Sequence, residues 1–115
     1  MSLTDKQTHE RICALNDALR RSLAPKLGRI VLTACVDALP GDLKAMAVHR
    51  TANFDAFSRD TDPADEHECG SFDLEGRQFI FTIDYFDPRL EFGSDDPADP
   101  VKTTRVLTLM LAEEY

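Results

Sequence analysis

A chain of 115 residues, 43% hydrophobic and 30% charged, has room for one hydrophobic core and not two, and its composition excludes a disordered polymer. A formal net charge of −8, with no Lys/Arg stripe interleaved with aromatics, leaves direct nucleic-acid binding without physical support. No apolar run approaches the ~20 residues of a membrane span, and the polar start Met1-Ser2-Leu3-Thr4-Asp5-Lys6-Gln7 has no signal-peptide core. The expectation is therefore one cytoplasmic domain over 1–115, with 1–4 as a disordered lead-in.

Thr4 is a good N-cap, and Asp5 suits a first helical turn. Ile12, Leu15, Ala18 and Leu19 recur at helical spacing, with Glu10, Asp17, Arg20 and Arg21 assigned to other faces. This helix runs to about Leu23 and is stopped by Pro25 and Gly28. Residues 29–35 are short, β-branched and apolar on both faces, which predicts a central strand. Leu39-Pro40-Gly41-Asp42 opens a second helix with Pro40 in its first turn, Leu43, Met46 and Ala47 on its apolar face, and an end near Arg50 or Thr51.

Phe54 and Phe57 are expected to anchor the following loop to the core. Residues 71–74 and 77–85 predict a hairpin closed by Glu75-Gly76. Phe79, Phe81 and Ile83 then share one face, and Gln78, Ile80, Thr82 and Asp84 the other. After a loop with Pro88, Gly93 and Pro97, Asp99-Pro100 predicts a last helix carrying Val101, Arg105, Val106, Leu109 and Met110. The order is α-β-α-β-β-α. It implies an α+β domain with a mostly antiparallel three- to four-stranded sheet packed against helices.

Cys13, Cys35 and Cys69 are odd in number and form no C-x-x-C, so neither a zinc knuckle nor a thioredoxin motif is written here. They read as small semi-buried residues. Cys69 is the one candidate for a reactive thiol, and its neighbour Glu68 works against the thiolate. Charge is the stronger signal. Residues 55–99 hold fourteen acids against Arg59, Arg77 and Arg89, a net of −11, while the rest of the chain carries +3. Solubility alone accounts for many acidic surfaces. Beyond it stand cation binding, docking of a basic partner, and mimicry of a nucleic-acid backbone.

Asp60, Asp62, Asp65, Glu66 and Glu68 put five carboxylates around His67 within nine residues. Oxygen-rich loops bind hard cations, and His67 with Asp62, Asp65 and Glu66 is also a donor set for zinc, manganese or iron. Pro63 and the misplaced glycine exclude an EF-hand. The plainer alternative is a solvated turn capped by Asp62. Asp84, on the strand face opposite Phe81 and Ile83, is a further candidate. With Glu66 and His67 it would make the acid–base or metal set of a metal-dependent hydrolase, or it pins the loop by hydrogen bonds. Asp-Pro-Ala-Asp occurs at 62–65 and again at 96–99, a turn-opening motif in both places. His9, Glu10 and Cys13 imitate a helical zinc-protease spacing without a third ligand. No phosphate loop or nucleophile elbow is present.

Several phrases in fixed order carry a family resemblance: Phe54-Asp55-Ala56-Phe57, Asp62-Pro63, Glu66-His67, Gly70, Ile83-Asp84-Tyr85-Phe86-Asp87, Gly93-Ser94, Asp96-Pro97-Ala98-Asp99-Pro100 and Thr104-Arg105-Val106-Leu107-Thr108. Together with Ala14-Leu15-Asn16-Asp17-Ala18-Leu19-Arg20 and the terminal Ala112-Glu113-Glu114-Tyr115, they resemble a family of short bacterial, mainly alphaproteobacterial, proteins of unknown function. The resemblance implies no activity. The functional expectation is a non-enzymatic interaction or regulatory module. Its acidic face, including Asp60, Asp62, Asp65, Asp87, Glu91, Asp95 and Asp96, docks a basic protein. No cofactor is expected beyond a weakly held divalent metal, and monomer and homodimer both stay open.

Overall fold

A four-stranded mixed sheet carries the chain's helices on one of its faces, in a computed structural model that describes residues 4–22, 26–60 and 62–115. The elements are α1 (Asp5–Ser22), β1 (Gly28–Leu32), α2 (Ala34–Asp37), α3 (Gly41–Ala52), β2 (Cys69–Leu74), β3 (Arg77–Phe86), β4 (Thr104–Leu111) and a closing 3-10 turn, Ala112–Glu114. Strand order is β1-β4-β3-β2, with β1 parallel to β4 and the other pairs antiparallel. This is an α+β fold, and the sheet is mostly antiparallel as expected.

α1 begins where Thr4 was expected to cap it. The Gln7 N–H donates to Thr4 Oγ1 at 3.2 Å and the Thr4 N–H to Gln7 Oε1 at 3.0 Å, a reciprocal capping box. The expected stop at Leu23 to Pro25 and residues 1–3 of the expected lead-in over 1–4 lie outside the described residues, while Thr4 is held in the cap. One expectation for this helix fails. Arg20 does not face solvent: it is 1% exposed and sits in the same stripe as Ile12, Asn16 and Leu19. Its guanidinium donates to the carbonyls of Thr51 (2.8 Å) and Phe54 (2.9 Å), beside the negative C-terminal end of α3. It also lies over the rings of Phe57 and Phe81 at 5.1 and 5.6 Å.

The segment expected as a central strand is an edge strand, and a shorter one. Thr33 turns the chain and caps α2, which takes Ala34 and Cys35 out of the sheet. Arg29 and Val31 remain exposed while Ile30 and Leu32 face the core. Gly28 is required here. A Cβ at this position would fall 2.1 Å from the carbonyl oxygen of Arg105, so only glycine lets β1 approach β4 this closely. Pro40 precedes α3 as its N-cap instead of standing in the first turn.

The hairpin forms as expected, with Leu74 paired to Arg77. Glu75 and Gly76 have φ of 52° and 77°, the two positive values that a type I′ turn demands. Phe79, Phe81 and Ile83 are buried in one cluster with Leu19, Val36 and Ala47.

The last element corrects the sequence reading. Residues expected as a terminal helix form β4, the sheet's second inner strand. Arg105, Leu107, Leu109 and Leu111 alternate inward with period two, and Thr104, Val106 and Thr108 supply β-branched residues on the other face. Asp99 does cap, but only a single turn, through Val101 N–H to Asp99 Oδ1 at 2.9 Å and Lys102 N–H to Asp99 O at 3.1 Å.

Candidate functional site at the acidic end of the sheet

Strand direction decides where the carboxylates gather. Because β2 and β4 both run antiparallel to β3, the start of β2, the end of β3 and the start of β4 share one end of the sheet. The acidic segment before β2 and the acidic loop from β3 to β4 therefore emerge side by side. The Ile83 N–H donates to Glu68 O at 2.7 Å across this end.

The first segment is organised from within. Asp62 is 3% exposed, and its two carboxylate oxygens accept the N–H groups of Glu66 (3.0 Å) and His67 (2.9 Å). It holds the turn as a cap would, but from the interior and not in a solvated loop. Asp65 and His67 adopt positive φ values of 55° and 59° to complete the turn. The His67 ring stacks flat on Phe57, centroids 3.9 Å apart, with Nδ1 2.9 Å from Asp17 Oδ1 on α1. Glu66 is buried, with one carboxylate oxygen 2.7 Å from His9 Nδ1 and the other accepting from the Tyr85 hydroxyl at 3.3 Å.

Beneath both acidic segments lies a polar interior. Arg105, 0% exposed, donates from Nε to Asn16 Oδ1 at 2.7 Å and from Nη2 to the carbonyl of Pro97. The Asn16 amide in turn donates to Glu66 O (3.0 Å) and Tyr85 Oη (2.8 Å). One buried guanidinium and one buried amide thus tie both segments to α1. Burial depresses the Arg105 pKa, while Tyr85 and Glu66 work against that. Burial pushes the Tyr85 phenol far above its ordinary range. Burial, then the carboxylates of Glu66 and Asp62, raise the Glu68 carboxyl. Burial also opposes ionisation of Asp17. The hydrogen bonds from Arg20 (2.7 Å) and His67 prevail and hold its carboxyl below the usual range.

The second segment, 87–103, is built on turns. Asp87 Oδ1 accepts the N–H groups of Arg89 (3.1 Å) and Glu91 (3.0 Å). Both copies of Asp-Pro-Ala-Asp make the same turn, with Asp65 N–H to Asp62 O and Asp99 N–H to Asp96 O at 3.0 Å each. Phe92 and Val101 project from this loop, 71% and 82% exposed. With Asp87, Pro88, Gly93, Asp95 and Lys102 they line an open cleft of about 480 Å³.

Several expected site residues come together and others do not. Asp60, Asp65, Glu91 and Asp95 are exposed, Asp87 and Asp96 half-buried, and Asp62 interior. Asp84 is exposed on the open face of β3, opposite Val106. Among the described residues the groupings of metal-ligating atoms are Cys13 with Asp17 and His67, and Asp62 with Asp65 and His67. Asp84 and Glu66 belong to neither. Sequence reasoning missed Asn16, Asp17, Arg20 and Arg105. The available signal was four polar residues sharing a helical or strand stripe with core residues.

The family described as Protein of unknown function (DUF3768) matches residues 32–114. The chain belongs to this family. In DUF3768 terms, the matched region holds both acidic segments, Tyr85 and Arg105, while Cys13, Asn16, Asp17 and Arg20 on α1 precede it. Among curated proteins and among solved structures nothing matches the chain.

Proposed function

We propose that this DUF3768 protein is a non-enzymatic docking module whose acidic end receives a basic, partly apolar segment of a partner protein. The observation that carries this reading is the placement of Phe92 and Val101. Two exposed apolar side chains lining one cleft form a patch, not scattered single residues, and both rise from a loop that also bears Asp87, Glu91 and Asp95. Apolar anchors beside an excess of carboxylates, with Arg89 and Lys102 as the local cations, suit a binding surface: the anchors supply affinity, and the carboxylates steer a cationic partner. The polar interior supports the same reading, because it holds the loops from beneath and leaves their outer surface free. The imidazoles and carboxylates beneath are engaged in pairs, Glu66 with His9 and Tyr85, and His67 with Asp17.

The test uses a fluorescently labelled amphipathic peptide of lysine and leucine, followed by anisotropy at about 0.05 M and 0.5 M salt, a range over which the Debye length shortens severalfold. Binding is expected to weaken steeply with salt and to fall ~10-fold in Phe92→Ser, the loss of one anchor. Glu75→Lys, at the far end of the sheet, should leave it unchanged. No binding, salt-independent binding, or full affinity in Phe92→Ser would each overturn the reading.

A further inference from the structure

We propose that Cys13, Asp17 and His67 form a binding site for a borderline-soft divalent cation of the zinc class. The inference is independent of the docking surface, since none of the three lies on the Phe92 loop. Cys13 and Asp17 are four residues apart on α1, so they share a helix face, and His67 reaches that face from the turn before β2. Their ligand atoms all lie within 4.8 Å of one another.

Both spacings from Asp17 approach those of a filled site. Tetrahedral zinc, with bonds of ~2.3 Å to sulfur and ~2.0 Å to nitrogen and oxygen, separates its ligand atoms by roughly 3.3–3.5 Å. Asp17 Oδ2 stands 3.9 Å from Cys13 Sγ and 3.2 Å from His67 Nδ1. Arg20 holds Oδ1 at 2.7 Å, and Oδ2 is the oxygen that faces both Cys13 and His67, so a cation there takes the place of the protons now shared among the three. The imidazole is already oriented by its flat stack on Phe57.

The competing trio of Asp62, Asp65 and His67 is a poorer site. Both oxygens of Asp62 are committed to backbone N–H groups, and the Asp65 side chain is largely in water. A thiol, an imidazole and one carboxylate select zinc or cobalt over calcium or magnesium, which want oxygen alone. All three ligands are half-buried.

The experiment is titration of the reduced, chelator-treated full chain with cobalt(II), read by absorbance. A stoichiometric thiolate-to-cobalt charge-transfer band, displaced by zinc and not by magnesium, is the expected result. The band should vanish in Cys13→Ser and in His67→Gln, and persist in Cys35→Ser and Cys69→Ser, with far-UV circular dichroism confirming that each variant is folded. The wild-type spectrum is decisive without any variant: no thiolate band at stoichiometric cobalt overturns the site. So does a band that survives Cys13→Ser.

Discussion

Following the covered face of the inner two strands from one end to the other, the facing pairs are Phe79 with Leu111, Phe81 with Leu109, Ile83 with Leu107, and then Tyr85 with Arg105. The interior changes character within one step. At the hairpin end, Phe72 stacks on Phe79 with centroids 5.4 Å apart, and a two-residue turn closes the strands without help. At the acidic end the chain must hold two irregular segments rich in like charge, and apolar packing cannot satisfy their backbone carbonyls. Arg105 and Asn16 do so from inside. The contrast teaches that the polar interior is the counterpart of the acidic loops: the more irregular the backbone above, the more donors are needed below.

Two substitutions set the ends against each other. Phe79→Ala removes a fully buried ring and should cost about 3–5 kcal/mol in urea unfolding, through lost burial and a residual cavity. Arg105→Met keeps the volume and removes the donors, stranding Asn16 Oδ1 and the Pro97 carbonyl. An expected cost of roughly 2–4 kcal/mol follows from the desolvation of unpaired groups. Hydrogen exchange separates the two mechanisms. Arg105→Met should lose amide protection first in 62–68 and 94–103, and Phe79→Ala across the whole sheet. Equal, global loss in both would mean that the two ends are not distinct.

Local rules made the hairpin end readable and long-range pairing hid the rest. The Thr4–Gln7 cap and the Glu75-Gly76 turn depend on residues a few positions apart, so the sequence displays them directly. The 104–111 segment satisfies a period of two and, through Val106, Leu109 and Met110, a helical period as well. Only the availability of β3 as a partner decides between them. β1 shows the same limit, because apolar residues on both faces do not say which strand is central. At the site, His67 was visible by type. Its partners were not: by spacing Cys13 goes with His9 and Glu10, and Asp17 stands 50 residues away from His67, where charged residues read as surface until the fold closes over them.

Two charge changes sharpen the comparison from within the acidic end. Asp17→Asn weakens the link between α1 and the His67 turn. The wild-type carboxyl is depressed, so the stability it contributes is fully present above the unfolded pKa of 3.8 and is lost as pH falls through the folded value. Thermal melts should therefore show Asp17→Asn less stable at pH 7, by about 1–2 kcal/mol for a charged hydrogen-bonded group, with the gap closing as pH falls below the unfolded pKa and through the depressed folded one. A gap that stayed constant would mean that Asp17 acts through packing alone.

Glu68 has the opposite sign. Burial, then Glu66 and Asp62, hold its carboxyl above the ordinary 4.5, so between the unfolded and folded pKa the native state binds the extra proton and stability falls as pH rises. Above that window the ionised carboxylate is a standing cost, small because the side chain is partly solvated. Glu68→Gln removes the charge and keeps the side chain's shape. It should melt slightly higher than wild type at pH 7 and equal to it below about pH 4. The substitution bears on the docking surface as well, because it leaves Phe92 and Val101 untouched. A variant that is more stable and still binds the lysine–leucine peptide would show that carboxylate crowding around Tyr85 is separable from the charge a basic partner reads. A variant that is less stable at pH 7 would mean that the negative charge on Glu68 is itself part of what holds the two acidic segments in place.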